Sequence, residues 1–168
     1  MEGLEIYLNN LGTHKGVKSF CNLYSEGGVC KLRISREDAL HLVIIPLFDG
    51  VIWRSKKSED YQDWKAILCI KQRFLHYTPK GKDLINKLLA QMNNNRLSTS
   101  GNNITVNREL LLSEVADFLK LAANAELRDG KIWIKSEKRF LSKKKAVCLS
   151  ESFIKRRLKL TVHNEDIH

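Results

Sequence analysis

The chain has 168 residues, 43% of them hydrophobic, and a formal net charge of +10 from 29 Lys and Arg against 19 Asp and Glu. That apolar share supports a folded core and excludes wholesale disorder. The longest apolar run, residues 39–48, is interrupted by His41 and Pro46 and is too short for a membrane span.

The charge is unevenly placed. Residues 131–159 hold eight Lys and three Arg against Glu137 and Glu151, which is nine of the ten net positive charges. A solvated surface mixes signs, so a run of this kind asks for an anionic partner. Phosphate fits best, because each neutralised phosphate releases counterions. The first ten residues carry two Glu and no Lys or Arg, unlike a secretory signal or a basic transit peptide. Four cysteines (Cys21, Cys30, Cys69, Cys148) form no C-x-x-C pair and show no zinc-like spacing with the five His. Cys21 and Cys30 could face each other across a hairpin, although buried thiols are the commoner outcome.

In chain order, Leu4, Ile6, Tyr7, Leu8 and Leu11 predict a short first helix ended by Gly12. From Gly16 the sequence alternates, with Val17, Cys21 and Leu23 on one side and Lys18, Phe20, Asn22 and Tyr24 on the other. After Gly27-Gly28, Cys30, Leu32 and Ile34 alternate with Val29, Lys31, Arg33 and Ser35. Two such runs around a Gly-Gly turn predict an antiparallel hairpin with one dry and one basic face. Ser35 predicts an N-cap, with Arg36-Glu37-Asp38 in a first helical turn and Pro46 ending that helix near Ile45. Residues 60–74 have helical spacing, and Thr78-Pro79 caps a further helix striped by Leu84, Ile85, Leu88, Leu89 and Met92. The polar stretch 93–103 predicts a boundary. Residues 110–121 predict an amphipathic helix, and Asp129-Gly130 sets up a strand over 131–135 with Ile132 and Ile134 opposite Trp133. Residues 164–168 read as a loose tail.

Pro46-Leu47-Phe48-Asp49, Lys57-Ser58-Glu59-Asp60-Tyr61, Trp64-Lys65, His76-x-Thr78-x-x-Gly81 and Met92-Asn93 with Arg96 resemble the downstream part of a LAGLIDADG homing endonuclease domain of mitochondrial intron-encoded type. Residues 4–96 fit, and residues 131–147 resemble the tail of some such proteins. The resemblance implies an α+β fold, a truncated half-domain with an antiparallel sheet backed by helices. It implies a curved sheet lying in a DNA groove and a motif helix whose acid holds a divalent metal. The match begins at the helix after the family's first hairpin, so the motif helix and the first two strands are absent from it. The expected division is residues 1–96 as the α+β domain, 97–130 as linker and amphipathic helix, and 131–168 as a basic extension.

Residues 42–50 end in Asp49-Gly50 as the family motif does. However, bulky Val43, Ile44, Ile45 and Phe48 oppose close helix contact, and Pro46 precedes the acid. Asp49 is therefore read as structural. No clustered carboxylates of the kind a two-metal phosphodiesterase needs are visible, and Glu59, Asp60 and Asp63 read as complementing a helix dipole. His76 is read as a cap or core residue. The expected catalytic set is empty, with no metal and no cofactor, and Mg2+ enters only if the chain cuts.

The expected nucleic-acid contacts are Lys18, Asn22, Tyr24, Lys31 and Arg33 on the hairpin, and Lys57, which aligns with the family's basic residue near the scissile phosphate. A second basic surface comprises Lys135, Lys138, Arg139, Lys143, Lys144, Lys145, Lys155, Arg156, Arg157 and Lys159. Trp133, Phe140 and Phe153 are interleaved with it, which base stacking and simple burial would both require. The function expected is a non-catalytic binder of RNA (rRNA or intron RNA) or DNA, within a mitochondrial ribosome or splicing complex, alongside ribosomal proteins and without a membrane. The alternative is half of a split DNA endonuclease or RNA maturase, completed by a partner chain that carries the LAGLIDADG helix.

Overall fold

A computed structural model describes residues 2–17, 20–92 and 107–142. The fold is α+β, and its described residues fall into two units, one ending at Ile52 and one spanning 53–142.

The first unit opens with helix α1 (Glu2–His14). Gly12 does not end it. A Cβ there would overlap the Phe20 ring and come within 2.7 Å of the Val17 carbonyl oxygen, so glycine is demanded by close packing. Phe20, expected on the polar side of a strand, is buried against this point. The chain turns at Gly16, which has a φ of 76°, and the strand proper starts later. Asn9 of α1 fixes that start: its Oδ1 accepts from the backbone N–H groups of Phe20 and Cys21, both at 3.2 Å.

Strand β1 (Cys21–Glu26) pairs antiparallel with β2 (Val29–Ile34) through a two-residue turn in which Gly27 and Gly28 both have positive φ. The right-handed twist of the strands requires that conformation, and glycine supplies it without strain. Cys21 pairs with Ile34 and Cys30 with Ser25, so the two cysteines are not opposite one another. Cys21 is buried, and burial, then the charge of Glu5, pushes its thiol upward from the ordinary value near 9. Cys30 is exposed rather than buried.

Residues 37–49 form one helical run, α2: an α-turn (Glu37–Ala39), a π-helical stretch (Leu40–Ile44) and a closing α-segment (Ile45–Asp49). Ser35 is not the cap. Arg36 occupies that position without a side-chain capping bond to the backbone, and its guanidinium instead grips the buried side chain of Asp38 at 2.5 and 3.0 Å. Pro46 does not end the helix either. The widened π-turn before it accommodates the missing N–H and the ring, so Pro46 opens the next α-segment.

The second unit contains α3 (Lys57–Gln72), a 3-10 turn (Leu75–Tyr77), α4 (Pro79–Gln91) and α5 (Arg108–Phe118). Ile70, Leu75, Leu84, Leu88, Leu111, Val115 and Phe118 form its core. Thr78 caps α4 as expected, its Oγ1 accepting from the Gly81 N–H at 3.0 Å. A Cβ at Gly81 would press on the Leu75 carbonyl, 2.7 Å from its carbon, which explains why that position excludes a side chain. Asn107 caps α5 by accepting from the N–H groups of Glu109 and Leu110.

Strands β3 (Ala125–Arg128), β4 (Lys131–Ile134) and β5 (Arg139–Phe140) make a three-stranded antiparallel sheet. Asn124 ties it to the rest of the unit. Its Nδ2 donates to the Phe74 carbonyl at 3.1 Å and to Ser136 Oγ at 2.7 Å, and its Oδ1 accepts from the Ser136 N–H. Thus α5 and residues 131–142 fold with 53–92. The structure draws its division at Ile52, because the apolar stripe of α5 completes the core begun by α3 and α4.

Candidate nucleic-acid interface

The hairpin register decides which side chains share a face. Asn22 lies opposite Arg33 and Tyr24 opposite Lys31, while Cys21, Leu23, Leu32 and Ile34 take the other side. Pleating thus gathers four of the expected contacts into two neighbouring cross-strand pairs. The Arg33 guanidinium lies over the Tyr24 ring, 5.0 Å from its centroid, a placement that orients the cation without neutralising it. Lys31 is paired with Glu26 at 2.6 Å, both exposed. Such a pair is weak in water and is readily exchanged for a phosphate. Lys18 lies outside the described residues.

Lys57 begins α3, and its ammonium contacts Asp60 at 2.8 Å on an exposed surface. Asp63, fully buried, holds Arg108 at 3.0 Å, and the same guanidinium donates to the Glu59 carbonyl and to Gln62. Asp60 and Asp63 of this helix therefore serve ion pairs. Among the described residues no three His, Cys, Asp or Glu side chains come together in a way that could hold a metal. Asp49 is the exposed last residue of α2, at the junction with the following loop. His76 is half-buried in the 3-10 turn, its ring 4.1 Å from that of Tyr77.

The second basic surface is only partly described. Lys135 and Lys138 are exposed at the turn between β4 and β5, where Lys138 adopts a left-handed φ of 48°. Arg139 is paired with Glu137 at 2.5 Å and lies 5.7 Å from the centre of the Tyr77 ring. Lys143, Lys144, Lys145, Lys155, Arg156, Arg157 and Lys159 lie outside the described residues, as does Phe153.

Sequence reading missed two cations. Arg128 lies 4.6 Å over Trp133, and Lys131 lies 5.9 Å from the centre of Phe140. The signal was their alternation with Trp133 across Asp129-Gly130, which was legible only once β3 was recognised as a strand.

Residues 3–68 match the family model of the LAGLIDADG endonuclease. Over that stretch, and in its α+β fold, the chain is similar to the LAGLIDADG endonucleases. It is also similar to the Uncharacterized mitochondrial protein RF1 of Saccharomyces cerevisiae, with 38% identity over 82 residues. That stretch covers 49% of this chain and 17% of the relative. No solved structure matches the chain. No helix of the described residues is long and apolar enough to cross a membrane.

Proposed function

We propose that the protein is a homing-endonuclease derivative that holds RNA without cutting it, as a component of a mitochondrial ribosome or an intron-splicing complex. The observation that carries this reading is the hairpin face within the family-matched segment. It displays Asn22, Arg33, Tyr24 and Lys31 together, with Arg33 held on an aromatic ring rather than on a carboxylate. Donors of this kind serve phosphate, sugar and base edges. The cation-rich sequence 131–159 adds charge for a polyanion. Against cutting, Asp38 and Asp63 are buried and held by Arg36 and Arg108, and a buried acid paired in this way does not hold a hard cation against phosphate.

The test is purification of the full chain with and without ribonuclease. Bound RNA that disappears on treatment supports the reading, and a protein free of nucleic acid with no affinity for added RNA overturns it. The family's description as endonucleases favours a second reading, that the chain is half of a split endonuclease or maturase acting with Mg2+. Cleavage of plasmid or RNA in magnesium or manganese, lost in Asp49→Asn, would establish that reading. The expected result is no cutting above that of a Lys57→Ala control.

A further inference from the structure

We propose that the outer face of the β3–β5 sheet is a stacking platform for unpaired bases of single-stranded nucleic acid. On the inner face Ala125, Ile132 and Ile134 are buried, Ile134 entirely, with Leu127 exposed at the turn end of that face. The core therefore has no need of the aromatics opposite. Trp133 and Phe140 are directly paired across β4 and β5, with ring centroids 4.9 Å apart in an edge-to-face arrangement. Phe140 remains 42% exposed, in the edge strand of the sheet formed by the described residues.

The charge around them is complementary to a nucleic-acid strand. Arg128 and Lys131 face each other across the turn on this same side and lean over Trp133 and Phe140 respectively. Glu126, opposite Trp133, is engaged by Arg128. Ring faces beside cations are what a base followed by its phosphate requires. A duplex buries its base faces against one another, so the platform selects strands whose bases are unpaired. The inference rests on the nucleic-acid reading above but not on the choice between RNA and DNA, so 12-mers of both are used.

The experiment compares the full wild-type chain with Phe140→Ala, Phe140→Leu and Phe140→Tyr, measuring affinity for a single-stranded 12-mer and for the matching duplex. Loss of a stacked base should weaken single-strand binding about tenfold in Phe140→Ala. Duplex binding, the salt slope and the melting temperature should stay unchanged. Phe140→Leu keeps the apolar bulk and should lose affinity alike, whereas Phe140→Tyr keeps the ring and should restore it. A 4-thiouridine 12-mer should photocrosslink within residues 125–142. Equal loss for duplex and single strand, retention of full affinity in Phe140→Ala, or crosslinks only elsewhere would overturn the platform while leaving nucleic-acid binding intact. A wild-type chain that binds neither strand form would overturn the nucleic-acid reading itself.

Discussion

The β1–β2 hairpin of the first unit and the β3–β5 sheet of the second use the same device and finish it differently. Each has a two-residue turn at positive φ, Gly27-Gly28 in one and Asp129-Gly130 in the other. Each sets an arginine over an aromatic ring, Arg33 on Tyr24 and Arg128 on Trp133. The inner sides diverge. The hairpin is sealed only at its base, where Cys21 is buried opposite half-buried Ile34, and Leu23 and Leu32 beyond them are half-buried. The small sheet is anchored by Asn124 and closed by Ile132 and Ile134. A ribbon of two strands has little to bury and depends on the helix at its foot, whereas a third strand and a core make a rigid support. The hairpin is therefore suited to adapting to a backbone, and the sheet to presenting rings in fixed positions.

That contrast is tested most severely in the second unit's core. Leu88→Ala removes a fully buried side chain and should cost about 3 kcal/mol, against about 1 kcal/mol for half-buried Leu32→Ala in the hairpin. Urea unfolding measures both, and equal costs would remove the distinction. Arg108→Ala should cost about 3 kcal/mol, since it strands Asp63 in the interior without its cation. Arg108→Lys, with a single point charge in place of the planar fork, should recover only part of this.

A third change separates the units. Gly12→Ala drives a methyl group into Phe20 and the Val17 carbonyl and should cost about 2 kcal/mol. All three tryptophans, at 53, 64 and 133, report on the second unit, while Cys21 reports on the first. The substitution should speed alkylation of Cys21 and leave the tryptophan-detected transition in place. In the wild type, exposed Cys30 should react at least tenfold faster than buried Cys21. Because the Cys21 value is raised in the folded state, its contribution to stability is present below pH 9 and is lost as pH rises through the raised value.

The smallest effect on stability belongs to the outer hairpin face. Lys31→Ala with Arg33→Ala should shift stability by less than about 0.5 kcal/mol. It should also lower the log–log salt slope of RNA binding by about 2, as two phosphate contacts would. A neutral slope change would move the interface off the hairpin. Charge reversal within 143–159 is the cleaner test of the basic run, because residues 131–134 and 139–140 are strands.

Local sequence was sufficient wherever one residue's own chemistry decided the outcome. Alternation assigned the two hairpin faces, Gly27-Gly28 and Asp129-Gly130 marked their turns, and Thr78-Pro79 marked a helix start with its cap. The ordered fragments from Pro46 to Lys65 lie within the stretch that matches the LAGLIDADG endonuclease model. Tertiary structure decided what depended on partners distant in the chain. Gly12 looked like a helix stop, but Phe20 fills the space its missing side chain leaves. Pro46 looked like a terminator, but a π-turn absorbed it. Asp63 looked like a dipole partner until Arg108, 45 residues later, was found holding it. Phe140 and Trp133 could have been core or surface, because an alternating pattern assigns two faces without saying which one is covered. The burial of Ile132 and Ile134 settled it, since a small sheet packed on one side leaves its other side to water.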